Sequence, residues 1–200
     1  MNPYSILVNK THPVPEAYLS AVELVSVCGV DQQQLQVERQ TLAAFEALAA
    51  YVRQTENTLI GPIDAYRSLE DQRQIYTRFR ELYGKDYADR IVAPVGTSEH
   101  HLGICIDLRI YIPKEGFISP NDHFDRIRPL FEKHVHPHLS RFGFILRYPF
   151  GKESVTGYPY EPWHIRYVGC DAAWEITQRG LTLEEWAQTH NIAKERMDKV

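Results

Sequence analysis

Cysteine is scarce in this chain. Three in 200 residues, Cys28, Cys105 and Cys170, are too few and too scattered for a disulfide framework, and an odd count leaves at least one thiol unpaired. No stretch approaches the ~20 apolar residues that cross a bilayer. The opening segment, Met1 to Lys10, lacks the basic start, long apolar stretch and small-residue cleavage site of a secretory leader. Basic runs are also missing: 22 Lys and Arg against 26 Asp and Glu give a net charge of -4, and the pI is near 6.1. Neither nucleic acid nor an anionic membrane has an electrostatic footprint to meet here. There is no internal repeat and no low-complexity tract. These absences point to a small or neutral substrate. The simplest compartment is the cytoplasm, the alternative being an exported or anchored protein whose leader is absent from this chain.

What is present is enough apolar material, 44% of residues with 12% aromatic, to bury a core as one domain over residues 1–200, with a catalytic core at about 58–170. Ser5–Asn9 reads as a short apolar strand, followed by a loop with Pro13 and Pro15. Leu42, Phe45, Leu48, Ala49 and Val52 recur at helical spacing and predict a helix with a core-facing stripe. Thr58–Tyr66 reads as a strand running into Arg67 and Ser68. Ser68 caps the next helix, with Glu70 and Asp71 in its first turn and Ile75, Phe79 and Leu82 on one face. Ile104–Ile112 is β-branched and predicts a central strand carrying Asp107.

Beyond that strand, Ile118–Asn121 reads as a turn, and Phe124, Ile127, Leu130 and Phe131 suggest a helix interrupted at Pro129. Phe142–Tyr148 and His164–Val168 read as strands flanking a polar loop at Gly151–Gly157. Two short helices follow, one from Asp171 to a stop at Gly180, the other opened by the capping box of Thr182 and Glu185. The charged stretch Lys194–Lys199 reads as a solvated C-terminal face.

Two segments carry chemistry, Ser98-Glu99-His100-His101-Leu102-Gly103-Ile104-Cys105-Ile106-Asp107 and Glu161-Pro162-Trp163-His164. Catalytic zinc takes three protein ligands and keeps one position open, and His100, Asp107 and His164 meet that count without a cysteine. Gly103 allows the chain to turn between the first two ligands. Glu161 is left as the base that takes a proton from water and passes it to a leaving amine. Arg67, at a strand-to-helix corner, can stabilise an oxyanion or clamp a terminal carboxylate. Ser98 can donate to the same carboxylate, Gln72 lies one turn from Ser68, and Trp163 lines the pocket or fills core.

Together Tyr66-Arg67-Ser68, the Ser98 to Asp107 motif, Phe142-Gly143-Phe144-Ile145-Leu146-Arg147-Tyr148-Pro149 and Glu161-Pro162-Trp163-His164-Ile165-Arg166-Tyr167-Val168-Gly169 resemble the zinc D-alanyl-D-alanine carboxypeptidases of the VanY type. Leu7 to Pro13 and Leu181 to Trp186 resemble the VanXY dipeptidase/carboxypeptidase branch. The resemblance implies an α+β fold, a small, mostly antiparallel sheet carrying a Zn2+ site with helices on its other face. It also implies His100, Asp107 and His164 as metal ligands, Glu161 as base, and Arg67 and Ser98 as substrate-binding. The expected substrate is a small peptide ending in D-alanine, from cell-wall precursors. Cys105 departs from the family, which usually has alanine there; it shares a strand side with Asp107 and could approach the metal.

Each of these residues also has a plainer reading. His100 alone fits a hydrogen-bonded surface or core histidine, Asp107 alone a buried carboxylate paired with an arginine, Arg67 a structural ion pair with Asp71 or another acid, Ser98 a turn residue, and Gln72 an exposed helix polar. His101 should point away from His100. His134, His136 and His138 suggest a second metal, but with no carboxylate in the run they read as a solvated helix end. Two other functions compete: an L,D-carboxypeptidase cutting tetrapeptide stems, and a zinc-stabilised wall-peptide-binding module without catalysis.

Overall fold

The computed structural model describes residues 3–19, 21–118 and 124–190. After a 3-10 turn at Pro3–Ser5, the elements in chain order are α1 (Glu16–Leu19), β1 (Leu24–Cys28), β2 (Gln34–Glu38), α2 (Arg39–Glu56), β3 (Ile60–Asp64), α3 (Leu69–Tyr83) and α4 (Lys85–Ile91). A 3-10 turn at Glu99–Leu102 leads into β4 (Cys105–Ile112), β5 (Gly116–Ile118) and α5 (Phe124–His134). A second 3-10 segment, His136–Phe142, precedes β6 (Phe144–Leu146), α6 (Glu153–Thr156), β7 (His164–Tyr167), α7 (Cys170–Arg179) and α8 (Leu183–Thr189). The fold is α+β.

Alternation along β4 organises the molecule. Successive strand residues point to opposite faces, so Ile106, Leu108 and Ile110, all fully buried, face one way, and Cys105, Asp107 and Arg109 face the other. The apolar face joins Phe45, Leu48 and Val52 of α2, Ile127 and Phe131 of α5, and Ile165 of β7 in the main core. Removing a side chain such as Leu108 from this layer costs about 2–5 kcal/mol. The sheet runs β3-β4-β7-β6 with β5 also on β4, and every pairing is antiparallel. Helices cover its apolar face, leaving the other to the site.

Both capping boxes form: Ser68 with Asp71 opens α3, and Thr182 with Glu185 opens α8. The helix across Pro129 is also continuous. Proline there cannot donate to the Asp125 carbonyl, and both residues are exposed, where solvent can take the place of the missing bond.

Several expectations need correction. Ser5–Asn9 is not a strand. Ser5 ends a 3-10 turn, Asn9 closes a small loop by exchanging backbone bonds with His12 (3.0 Å each), and Leu7 and Val8 are buried by packing instead of a ladder. The strand expected over Phe142–Tyr148 shrinks to β6, because the 3-10 segment runs to Phe142 and Gly143 turns with φ 79. The loop Gly151–Gly157 contains α6. The β1–β2 hairpin and α4 have no counterpart in the sequence reading. The Ile118–Asn121 turn lies past Ile118 outside the described residues, as does Lys194–Lys199.

Candidate active site

Asp107 on β4 and His164 on β7 are register partners, so the sheet itself brings two residues far apart in sequence side by side. His100 arrives from the 3-10 turn, whose first residue is capped by Ser98: the His100 amide donates to Ser98 Oγ (3.3 Å). Gly103 ends that turn with φ 67, and a Cβ there would stand 2.7 Å from Leu24 Cδ2, so the bend into β4 needs glycine.

Each donor atom is oriented. His100 Nδ1–H donates to the Ala65 carbonyl, which turns its Nε2 towards Asp107, 3.5 Å from Oδ2. Asp107 Oδ1 lies 2.8 Å from His164 Nδ1, yet that oxygen is buried with no hydrogen bond. The two imidazoles stand 5.1 Å apart at 83°. Glu161 Oε2 is 3.9 Å from His164 Nδ1.

The electrostatics separate these groups into roles. Burial, assisted by Arg67, holds His100 well below its ordinary pKa, leaving it neutral with a lone pair to give. His164 moves the other way: burial opposes its charge, but Cys105 and Asp107 outweigh burial and raise it. Asp107 is lowered, burial being overcome by His100 and His164. Glu161 is raised to about 7, chiefly by burial, with Asp107 adding to the rise and His164 opposing it. A carboxylate near neutrality in a cleft is suited to carrying a proton.

Around these groups lies a cavity of about 370 Å³, lined among others by Asp64, Arg67, Ser98, His100, Asp107, Arg109, Tyr148, Tyr158, Glu161, Trp163 and His164. Arg67 does not pair with Asp71, which is occupied by the Ser68 cap. Its Nε binds Asp64 Oδ2 (2.8 Å), its Nη1 donates to Gln72 Oε1 (3.1 Å), and its Nη2 reaches Asp107 Oδ2 (3.4 Å). Gln72 is fully buried, not an exposed helix polar. Its Nε2 donates to the Ala93 carbonyl (2.7 Å), and it sits behind Arg67 outside the cavity lining. Trp163 lines the cavity and meets Phe124 edge-on at 6.1 Å. His101 indeed points away: Nδ1–H donates to the Arg67 carbonyl (2.8 Å) and Nε2 accepts from the Gly96 amide (3.2 Å), fixing the corner that carries Arg67.

A buried ionic network behind His164 has no counterpart in the sequence reading. Glu99 Oε1 accepts from Arg147 Nε (2.6 Å) and Arg166 Nη1 (2.7 Å), and Arg147 forks onto both oxygens of Glu184 on α8 (2.9 and 2.7 Å). Arg147 and Arg166 are fully buried. Two guanidiniums and two carboxylates balance, and Arg147 and Arg166 overcome burial to hold Glu99 well below the ordinary carboxylate range. Only Glu99, Arg147 and Arg166 could have signalled it, as charges set among apolar residues of the motifs.

Cys105 is fully buried, and burial raises its thiol. Donor atoms of His100, Cys105 and His164 lie within 4.8 Å of one another, as do those of Asp64, His100 and Asp107; His100, Asp107 and His164 do not form one such group, Asp107 instead meeting each histidine through a different oxygen. The histidines after α5 do have a carboxylate: Glu56 of α2 bridges His134 Nδ1 and His138 Nε2, at 2.9 Å each. His136 Nε2 instead bonds the Pro162 carbonyl (2.8 Å). No metal group forms there among the described residues.

The family model for VanY, D-alanyl-D-alanine carboxypeptidase, matches residues 34–170. The chain belongs to the VanY D-alanyl-D-alanine carboxypeptidase family. It is 34% identical over 195 residues to a D-alanyl-D-alanine carboxypeptidase of Enterococcus faecalis, covering 92% of this chain and 65% of that one. The chain spans 68%, 65% and 64% of the length of three of the curated relatives it matches and 34% of a fourth. A vancomycin resistance D,D-pentapeptidase VanY, solved with Zn(II), superposes at TM-score 0.73 with 30% identity, covering 92% of this chain and 98% of that one. The LD-carboxypeptidase LdcB superposes at 0.74, also 30% identical, covering 91% and 84%.

The site of this VanY-family chain fits a divalent cation on its own evidence. Two imidazoles and a carboxylate converge, and Asp107 Oδ1 and His164 Nδ1 nearly touch without hydrogen bonding, as atoms aimed at a shared cation do. No helix among the described residues is long and apolar enough to cross a membrane.

Proposed function

We propose that this chain is a zinc-dependent D,D-carboxypeptidase that removes C-terminal D-alanine from peptidoglycan precursors or wall peptides, D-Ala-D-Ala dipeptide included. The observation carrying this reading is the convergence of His100, Asp107 and His164 beside Glu161, a carboxylate raised to about 7. His100 Nε2, an Asp107 oxygen and His164 Nδ1 would hold zinc, which when bound supplies Lewis acidity towards water and the scissile carbonyl.

The remaining work belongs to the chain. Glu161, in its ionised form, takes a proton from the attacking water at its carboxylate and delivers it to the leaving nitrogen. Arg67, pre-set by Asp64 and Gln72, directs positive charge at the oxyanion or the terminal carboxylate. Ser98 and Trp163 border the substrate, and Gln72 acts through Arg67. The domain is read as one unit with its catalytic core at about 58–170.

The test is release of D-alanine from D-Ala-D-Ala, a pentapeptide stem and a tetrapeptide stem, with and without a chelator. Release from the pentapeptide, abolished by chelation and restored by zinc, is expected. Cleavage of the tetrapeptide alone would favour the L,D activity that LdcB's name carries. Zinc-loaded protein that cuts none of the three would favour a binding module.

A further inference from the structure

Two arginines line the catalytic cavity, and the fold treats them differently. Every nitrogen of Arg67 is engaged, by Asp64, Gln72 and Asp107. The Arg109 side chain forms no hydrogen bond or ion pair with any described residue, and its Nε is buried without a partner. A buried donor left unmade is costly, so such a group signals a partner that comes from outside the chain.

Strand geometry fixes where that partner must be. Arg109 lies two residues beyond Asp107 on the same face of β4, about 7 Å further along the strand. Its register partner across β3 is Gly61, and the space a Cβ would take at Gly61 is filled by Val30 Cγ1 (2.2 Å). The tip of the β1–β2 hairpin therefore sits beside Arg109. Asp31 on that tip also lines the cavity, but its Oδ1 accepts from the Gln33 amide (3.2 Å) and it forms no ion pair with Arg109.

We propose that Arg109 is a specificity residue that binds a carboxylate carried on the acyl portion of the peptide, the residues preceding the cleaved bond. A terminal carboxylate lies one residue, about 3.8 Å, from the scissile carbonyl, within the neighbourhood of Arg67. Arg109, set further out and facing the same cavity, matches a group further up the peptide, and its planar fork suits a two-pronged salt bridge with carboxylate. The inference rests on the proposed peptidase function and deepens it, since it makes an acidic stem a better substrate than its amide.

The experiment compares two pentapeptides that differ only in an upstream side chain, free acid or amide, together with D-Ala-D-Ala. In Arg109→Ala, kcat/KM for the acid peptide should fall roughly 10- to 100-fold through KM, with the amide and the dipeptide within about twofold, and Arg109→Lys should recover part of the loss. Equal losses on acid and amide, a loss on the dipeptide, or no loss at all would overturn it. Calorimetry on Glu161→Ala protein, with and without Arg109→Ala, reads the acid-over-amide preference without turnover. Wild-type protein that cleaves nothing would sink the peptidase reading, while calorimetry would still decide Arg109: no preference refutes it.

Discussion

Glu99 Oε2 faces His164 Nε2 across 3.6 Å, and neither buried atom has a hydrogen-bond partner. With Nδ1 turned to Asp107, the far nitrogen of the ring thus meets a carboxylate pinned by Arg147 and Arg166. Metal-binding histidines are commonly oriented by such a carboxylate, and losing it costs about 10- to 100-fold in metal affinity. Glu99→Gln, which keeps the shape and removes the charge, should weaken zinc binding by that factor in a chelator competition. Unchanged affinity would rule out the orienting role. Glu99→Ala should also lower the melting temperature, since among the described residues it takes the only carboxylate from buried Arg166 and one of two from Arg147, and breaking a buried pair costs about 3–5 kcal/mol.

Replacing Glu161 with alanine separates chemistry from binding. Turnover should drop about 10²- to 10⁴-fold while metal analysis still finds zinc, because the three donors do not depend on Glu161. An active, zinc-loaded Glu161→Ala protein would remove its assignment as base.

The pH profile follows from the same residue. The base works ionised, and burial has raised Glu161 to about 7, so activity should increase as pH climbs towards neutrality and fall on the acid side. A bound cation draws that acid limb to lower pH. An acid limb centred below the ~4.3 of an ordinary glutamate would contradict the assignment, given the upward shift here.

Glu56 between His134 and His138 joins α2 to the end of α5 and the segment after it through hydrogen bonds. Purified protein should therefore hold one zinc per chain, and His134→Ala with His138→Ala should leave that stoichiometry unchanged while lowering stability modestly. Loss of zinc in the double variant would revive the second-metal reading.

Thiol accessibility gives a check on the site's packing. Cys28 and Cys170 are exposed and Cys105 is fully buried, so a thiol reagent should titrate two cysteines in the native protein and three after denaturation. Three in the native state would mean that the strand behind His164 opens readily.

Much of this site was readable because its residues lie in short motifs whose spacing the sheet preserves. Asp107 and His164 needed only two strands in the right register, and the β-branched run around Asp107 announced one of them. Arg67 and Ser68 were legible through a helix cap, which local sequence encodes directly. The β1–β2 hairpin was not: Gln34 to Glu38 does alternate polar and apolar, but two strands of five residues each are a weak signal. Leu7 and Val8 misled because burial by packing and burial in a strand leave the same apolar signature. Arg109 escaped because a lone arginine in a strand looks like surface until its lack of partners is seen in three dimensions.

Arg147 ties the centre to both ends of the chain. Its fork grips Glu184, which also accepts from Asn9 Nδ2 (3.1 Å), and its Nη2 touches the Val8 carbonyl (3.4 Å). A polypeptide trimmed to residues 34–170 would keep His100, Asp107, His164 and Glu161, the proposed metal donors and base, yet lose the clasp that keeps Arg147 on Glu99. Shortening this protein from either side is thus expected to loosen an imidazole in its middle, so remote segments would govern how firmly an ion could be seated.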